Sequence, residues 1–177
     1  MVNLRAIAVL LLFVASTRAQ PSFELFAELT PERMSRDGRF VVGYRAVTGN
    51  RAAIWDRQLG TVQTLGTLPT IGAAWSVAYA VSNDGRFMVG QSTSGILGKE
   101  AFRFDRYTDT MTGLGDLQSG LADSIAIDVS ADGRVVVGHG YHSGSREAFR
   151  WENGVMMGLG DLEGGSFHSE ATAISAD

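Results

Sequence analysis

Val129-Ser130-Ala131-Asp132-Gly133-Arg134-Val135-Val136-Val137-Gly138 is the stretch from which the rest of the chain can be read. Its centre is an Asp-Gly pair followed by a β-branched run. Glycine accepts the positive φ of a tight turn and aspartate can bond its own backbone, so the pair between two strand-like segments signals a hairpin. The phrase occurs twice more, as Met34-Ser35-Arg36-Asp37-Gly38-Arg39-Phe40-Val41-Val42-Gly43 and Val81-Ser82-Asn83-Asp84-Gly85-Arg86-Phe87-Met88-Val89-Gly90, and restarts at Ile174-Ser175-Ala176-Asp177. The serines at 35, 82, 130 and 175 stand 47, 48 and 45 residues apart. A fixed period of this size is the mark of a repeat architecture.

Further features keep the same phase. Arg51-Ala52-Ala53-Ile54-Trp55, Glu100-Ala101-Phe102-Arg103-Phe104 and Glu147-Ala148-Phe149-Arg150-Trp151 follow the three phrases, and Leu65-Gly66-Thr67-Leu68, Leu114-Gly115-Asp116-Leu117 and Leu159-Gly160-Asp161-Leu162 come after them. Turn residues recur between these segments at Gly49-Asn50, Gly95 to Gly98 and Ser143-Gly144-Ser145, then near Gly60, Asp109 and Asn153-Gly154. Each unit therefore reads as four short antiparallel strands, about 124–130, 134–140, 146–152 and 155–159 in the third unit. No segment has the apolar spacing and caps of a helix. Four strands in 45–48 residues is the size of a β-propeller blade. The chain is expected to be all-β, a partial propeller of about three blades. Small residues such as Ala171, Ala173 and Ser175 suit the crowded strand at the axis, and Trp55, Phe104 and Trp151 are placed to cover a neighbouring blade. Units are expected at 33–80, 81–128 and 129–173, with a fourth beginning at 174 and a lead-in over 20–32. Three blades and one strand fall short of the four or more, roughly, that close a ring. The expectation is a fragment of a longer array, with a closed oligomer, or a blade completed by Phe23–Leu29, as the alternatives.

Residues 1–19 differ from all this. Arg5 precedes the apolar run Ala6–Ala15, and Thr17 and Ala19 are small residues placed for cleavage after Ala19. This is the pattern of a secretory signal peptide, and the run is shorter than the ~20 residues of a membrane span. Its removal takes Arg5 and Arg18 and shifts the formal charge from −4 to −6. The acidic balance argues against nucleic-acid binding, and no stable membrane insertion is expected afterwards.

The full chain has 177 residues, 45% hydrophobic and 19% charged, an ordinary globular mixture. It has no cysteine, which excludes disulfides and thiolate-held metals. Twenty-two glycines stand against three prolines, and 14 arginines against the single Lys99. The lysine shortage has no explanation in the sequence.

The phrase Ser-x-Asp-Gly-x-Val-Val-Val-Gly, then Ala-Phe-Arg-Trp, then Gly-Leu-Gly-Asp-Leu resembles the bacterial extracellular repeats called the HAF family, over residues 33–177. The triplet behind that family's name, His-Ala-Phe, reads Glu100-Ala101-Phe102 and Glu147-Ala148-Phe149 here and Arg51-Ala52-Ala53 in the first unit. The resemblance implies a secreted, periplasmic or cell-surface protein with a propeller-like fold, and brings no catalytic residues.

Asp37, Asp84, Asp132 and Asp177 could each offer calcium one carboxylate per turn, yet the ion takes about six to eight oxygens, so hairpin closure is the expected role. Asp116 and Asp161 invite comparison with paired hydrolytic carboxylates, but they belong to successive units and read as turn residues. His139 and His142, three apart, fall on opposite faces of a strand, and His168 is the only other histidine. Glu100 and Glu147 are expected to pair with Arg103, Arg146 or Arg150. Gly-Leu-Gly-Asp-Leu lacks the ending of a phosphate loop. No catalytic, cofactor-binding or metal-binding residue is assigned. The expected function is a non-catalytic extracellular binding module for a glycan or a protein, presenting loops that diverge at Ala46–Asn50, Ser92–Gly98 and Gly140–Ser145. The alternatives are a secreted glycan-acting hydrolase and a purely structural surface protein.

Overall fold

The structure, a computed structural model, describes residues 29–95, 98–117, 123–142 and 144–175, without the side chain of His142. The expected signal peptide, most of the lead-in, and the last two residues of the fourth phrase lie outside the described residues.

Three four-stranded antiparallel sheets follow one another along the chain. The first contains β1 (Thr30–Met34), β2 (Phe40–Val47), β3 (Gly49–Asp56) and β4 (Thr61–Gly66). The second contains β5 (Ser76–Val81), β6 (Phe87–Ser94), β7 (Gly98–Asp105) and β8 (Thr110–Gly113). The third contains β9 (Ile125–Val129), β10 (Val135–His142), β11 (Ser145–Glu152) and β12 (Val155–Gly158). Each sheet is a plain meander, in which every strand pairs with its sequence neighbour. The sheets do not join edge to edge, and no helix occurs among the described residues. The chain is thus a three-bladed portion of a β-propeller. Strand β1 starts at Thr30, inside the segment that composition alone assigns to the lead-in.

The Asp-Gly turns are built identically. In the second blade the Ser82 hydroxyl donates to Asp84 Oδ1 at 2.6 Å and accepts the Phe87 N–H at 2.9 Å, while Asp84 Oδ1 also accepts the Arg86 N–H at 3.0 Å. Ser35 and Asp37 repeat the arrangement with Arg39 and Phe40, and Ser130 and Asp132 with Arg134 and Val135. These bonds hold the Asp37 carboxyl below its ordinary range, the Ser35 hydroxyl contributing most; the Arg134 N–H does the same for Asp132.

The phrase ends in glycine for a reason that the sequence does not show. The inner strands carry a bulge, with register shifts at Pro31/Arg33, Ala78/Ala80 and opposite Val137/Gly138. The bulge pushes a carbonyl of the inner strand (Thr30, Val77 or Ile125) into the space a Cβ would take on Gly43, Gly90 or Gly138.

Blades pack through two cores that match at eleven positions, Ile54 belonging to the first alone and Ala80 to the second alone. Phe40, Val42, Ala52, Ile54, Leu65 and Leu68 of blade 1 meet Ala78, Val81, Met88, Phe102, Phe104 and the half-buried Met111 of blade 2. In the next interface Phe87, Val89, Ala101, Leu114 and Leu117 meet Ala126, Val129, Val136, Phe149, Trp151 and Met156. Phe104 and Trp151 cover the preceding blade, as their phase leads one to expect. Phe40 and Phe87 also lie flat on the turn of the following blade, where a Cβ on Gly85 or Gly133 would overlap the ring. These glycines also have φ of 71° and 70°, so two independent constraints select the residue.

Candidate functional site

Most of the residues singled out for chemistry are engaged in backbone architecture. Asp116 accepts the Leu117 N–H on Oδ1 at 2.9 Å and the Asp123 N–H on Oδ2 at 3.0 Å. Asp161 does the same for Leu162 and His168, at 2.8 and 2.7 Å. Each closes a loop between blades, as a turn aspartate should. Burial raises the Asp116 carboxyl above its usual range against the pull of these two N–H groups.

The expected pairing is corrected for Glu100. Glu100 does not engage the named arginines: it accepts the Gly115 N–H on Oε1 at 2.9 Å and the Ser94 hydroxyl on Oε2 at 2.6 Å. Glu147 accepts the Gly160 N–H at 2.9 Å. A Cβ on Gly113 or Gly158 would overlap these carboxylates. In blade 1, where Arg51 replaces the glutamate, the matching position is Thr64, paired with Ala53 as Gly113 is with Phe102. Arg146 bonds Glu170 and Arg150 bonds Glu152 at 2.7 Å. Arg103 stacks 4.1 Å from the centre of the Phe87 ring and 5.9 Å from that of Trp151.

A second set of serines, unmarked by the sequence reading, ties each blade to the next. Ser76 accepts the Ala52 N–H at 2.8 Å and donates to the Gly66 carbonyl. Ser124 joins Ala101 and Gly115 at 3.0 and 2.7 Å, and Ser169 joins Ala148 and Gly160 at 3.0 and 2.6 Å. The only signal for them was their spacing, 48 and then 45 residues, matching the period of the turns.

No group of three or more His, Asp and Glu placed to hold an ion occurs among the described residues. His139 is buried in β10, its Nδ1 without a hydrogen-bond partner. Burial depresses its pKa, Arg146 and His168 acting in the same direction and Asp123 against them. Gln91 occupies the same position in blade 2 and is satisfied there, donating to Asp123 at 3.0 Å and to the Ser124 carbonyl at 3.1 Å. His168 lies 3.5 Å from Glu170.

The hairpin end of the blades, opposite the Asp-Gly turns, offers a concave surface. The connection from β4 to β5 and the β6–β7 hairpin are joined there by Ile71 N–H to the Gly95 carbonyl at 2.8 Å and Gly95 N–H to the Pro69 carbonyl at 3.0 Å. Trp75 is fixed by its own backbone, which exchanges hydrogen bonds with Thr93: Thr93 N–H to the Trp75 carbonyl at 3.0 Å, and Trp75 N–H to Thr93 Oγ1 at 3.1 Å. Between these segments lies a cavity of about 280 Å³ bordered by Thr70, Ile71, Trp75, Thr93 and Lys99. Ile71 is 74% exposed on its lip. An indole, aliphatic carbon, two hydroxyls and one ammonium meet here on a rigid support. The sequence points to this face only by the divergence of its loops.

No protein-family profile matches the sequence, and no curated protein is significantly similar to it. Among solved structures, the fold is similar to that of TolB from Acinetobacter baumannii, at 16% identity and a TM-score of 0.53, covering 76% of this chain and 33% of that one. A putative TolB from Agrobacterium tumefaciens is similar at 19% identity and a TM-score of 0.50, covering 73% and 45%. Oligogalacturonate lyase from Vibrio parahaemolyticus shows 10% identity and a TM-score of 0.43 over 74% of this chain and 39% of that one. The chain spans less than half the length of each of these structures, and what it shares with the two TolB proteins is the propeller fold.

Proposed function

We propose that the protein is an exported, non-catalytic binding module of the HAF type that holds an extracellular glycan on the hairpin end of its blades. The observation that carries this reading is the cavity beside Trp75, built from loops that differ between units on a scaffold whose turns and interfaces repeat. An indole offers a sugar ring a flat apolar face, and the Lys99 ammonium offers a donor at its edge, with the lone pairs left on the Thr70 and Thr93 hydroxyls, whose protons go to backbone carbonyls, as acceptors. Export rests on the pattern of residues 1–19; no helix among the described residues is long and apolar enough to cross a membrane. The hydrolase alternative is weakened, because Asp116 and Asp161 each spend both carboxylate oxygens on backbone N–H groups.

The test is binding of the protein, freed of residues 1–19, to immobilised glycans and cell-wall polysaccharide. Retention on a glycan, weakened about tenfold or more by Trp75→Ala, is the expected result. Retention unaffected by Trp75→Ala, or capture by a protein partner alone, overturns it. Turnover of chromogenic glycosides that is lost in Asp116→Asn or Asp161→Asn would establish the hydrolase instead.

A further inference from the structure

The opposite end of the blades holds a second cavity, of about 320 Å³, on the axis of the repeat. Its wall is formed by one residue from each successive unit, Met34, Val81, Val129 and Ile174, the residue just before the turn serine in all four phrases. The inner strands therefore converge there, with Val81 and Val129 mostly taken up by the blade interfaces and Met34 and Ile174 more open to the space. Met34 remains 55% exposed within that ring. The rim carries Arg36, Asn83 and Ala131, which occupy the one position of Ser-x-Asp-Gly that varies between units. The serine and aspartate on either side are bound into the turn, so the variable residue stands on a rigid mount.

The charges at this end are not all balanced. Arg33 reaches from blade 1 to Asp128 of blade 3 at 3.2 Å. The Asp128 carboxylate also accepts the Val129 N–H at 3.0 Å and the Ile174 N–H at 3.1 Å, so it is neutralised and satisfied. Arg39 and Arg86, the arginines that follow the turn glycines, are held by Asp56 and Asp105 through paired hydrogen bonds of 2.9–3.2 Å. Among the described residues Arg36 has no such acid, and neither its guanidinium nor the Asn83 carboxamide makes a hydrogen bond there. One unspent cation and one unspent amide thus edge an apolar space in an acidic protein.

We propose that this axial cavity binds a small organic acid, whose carboxylate takes the planar fork of Arg36 with support from Asn83 and whose apolar body rests on Met34, Val81, Val129 and Ile174. Among the described residues that line the cavity, Arg36 is the one charge not matched by an acid, and its guanidinium geometry matches a carboxylate. The apolar wall separates such a ligand from bare inorganic anions, which gain nothing from it.

Hexanoate is the probe, with hexanol and inorganic phosphate as controls, followed by calorimetry and by amide shifts on the full chain without residues 1–19. Hexanoate is expected to shift amides of the three Asp-Gly turns, to bind about tenfold more tightly than either control, and to lose about tenfold in Arg36→Gln. Arg36 is exposed, so that variant should fold, and Asn83→Ala gives a second reading with a smaller loss. Trp75→Ala leaves hexanoate binding unchanged, which keeps this site separate from the hairpin-end proposal. No saturable response to hexanoate up to about 10 mM, equal binding of hexanol or phosphate, or full affinity in Arg36→Gln overturns the proposal.

Discussion

The two interfaces between blades share eleven positions and part at two: Ala80 packs only in the second, where Arg33 stands at its place in blade 1, and the slot of Ile54 changes its chemistry. Ile54 packs in the first, while Arg103 takes its place in the second, its Nε buried without a hydrogen-bond partner and its plane laid on Phe87 and against Trp151. Burial lowers the Arg103 pKa. The second interface also changes Phe104 to Trp151 and Met88 to Val136 around the substitution. A propeller interface therefore tolerates a cation in an aliphatic slot when aromatic faces on both sides take the guanidinium, because stacking replaces part of its hydration. What both interfaces keep unaltered is the polar frame: the serine staple and the turn glycine under an aromatic ring.

That contrast can be broken at graded cost. The largest effect is expected from Phe104→Ala, which removes a 2% exposed ring from the first interface and should cost about 3–5 kcal/mol in urea unfolding. Trp151→Ala, half-buried in the second, should cost less; an equal loss would mean that the two interfaces are not ranked by burial. Gly133→Ala combines a positive φ with overlap of the Phe87 ring and should cost about 2–4 kcal/mol. Gly60→Ala, also at positive φ but in open space, should cost about 1–2, so the difference isolates the ring contact. Ser124→Ala leaves the Ala101 N–H and the Gly115 carbonyl without their partner and should cost about 1–3 kcal/mol. Arg103→Ile copies the first interface into the second and should raise stability by about 1 kcal/mol; a loss would show that stacking outweighs desolvation.

The acid response should follow the arginine clasps. Arg39 beside Asp56 and Arg86 beside Asp105 hold those carboxyls below their ordinary pKa, against burial, which raises it. A carboxyl depressed in the folded state contributes stability above its unfolded pKa, about 3.9, and loses it as pH falls through the lower folded value. Unfolding is therefore expected on the acid side of about pH 4, and Arg39→Met should flatten that dependence. Blade 3 lacks the clasp: Glu152 bonds Arg150 and the exposed Arg134 lies 3.5 Å from Asp132. Arg134→Met should leave the acid profile unchanged, and a shift as large as that of Arg39→Met would contradict this assignment.

Much of the fold was legible in particular residues. Asp-Gly with its β-branched run located the β9–β10 turn, and the strand ranges expected in the third unit fall within two residues of those observed at each end. The aromatic at 104 was placed against its neighbour by phase alone. Arg103 stands only three residues from Glu100 in the sequence, yet the carboxylate reaches across the sheet to the N–H of Gly115, just past β8. The serines at 76, 124 and 169 carried a periodic signal, but a serine before a strand is too common to announce that its hydroxyl will span two blades.

By itself the sequence determined the repeat, its length, the four strands per unit and the turns between them, because hydrophobic alternation and turn chemistry act over a few residues. Tertiary structure decided which face of each strand meets the next blade, which glycines lie under a ring or a bulge, and where unspent groups such as Arg36 and Trp75 are gathered around open space. Those properties depend on atoms brought together from units some 47 residues apart in the chain, and local sequence constrains such distances only through the packing of the whole.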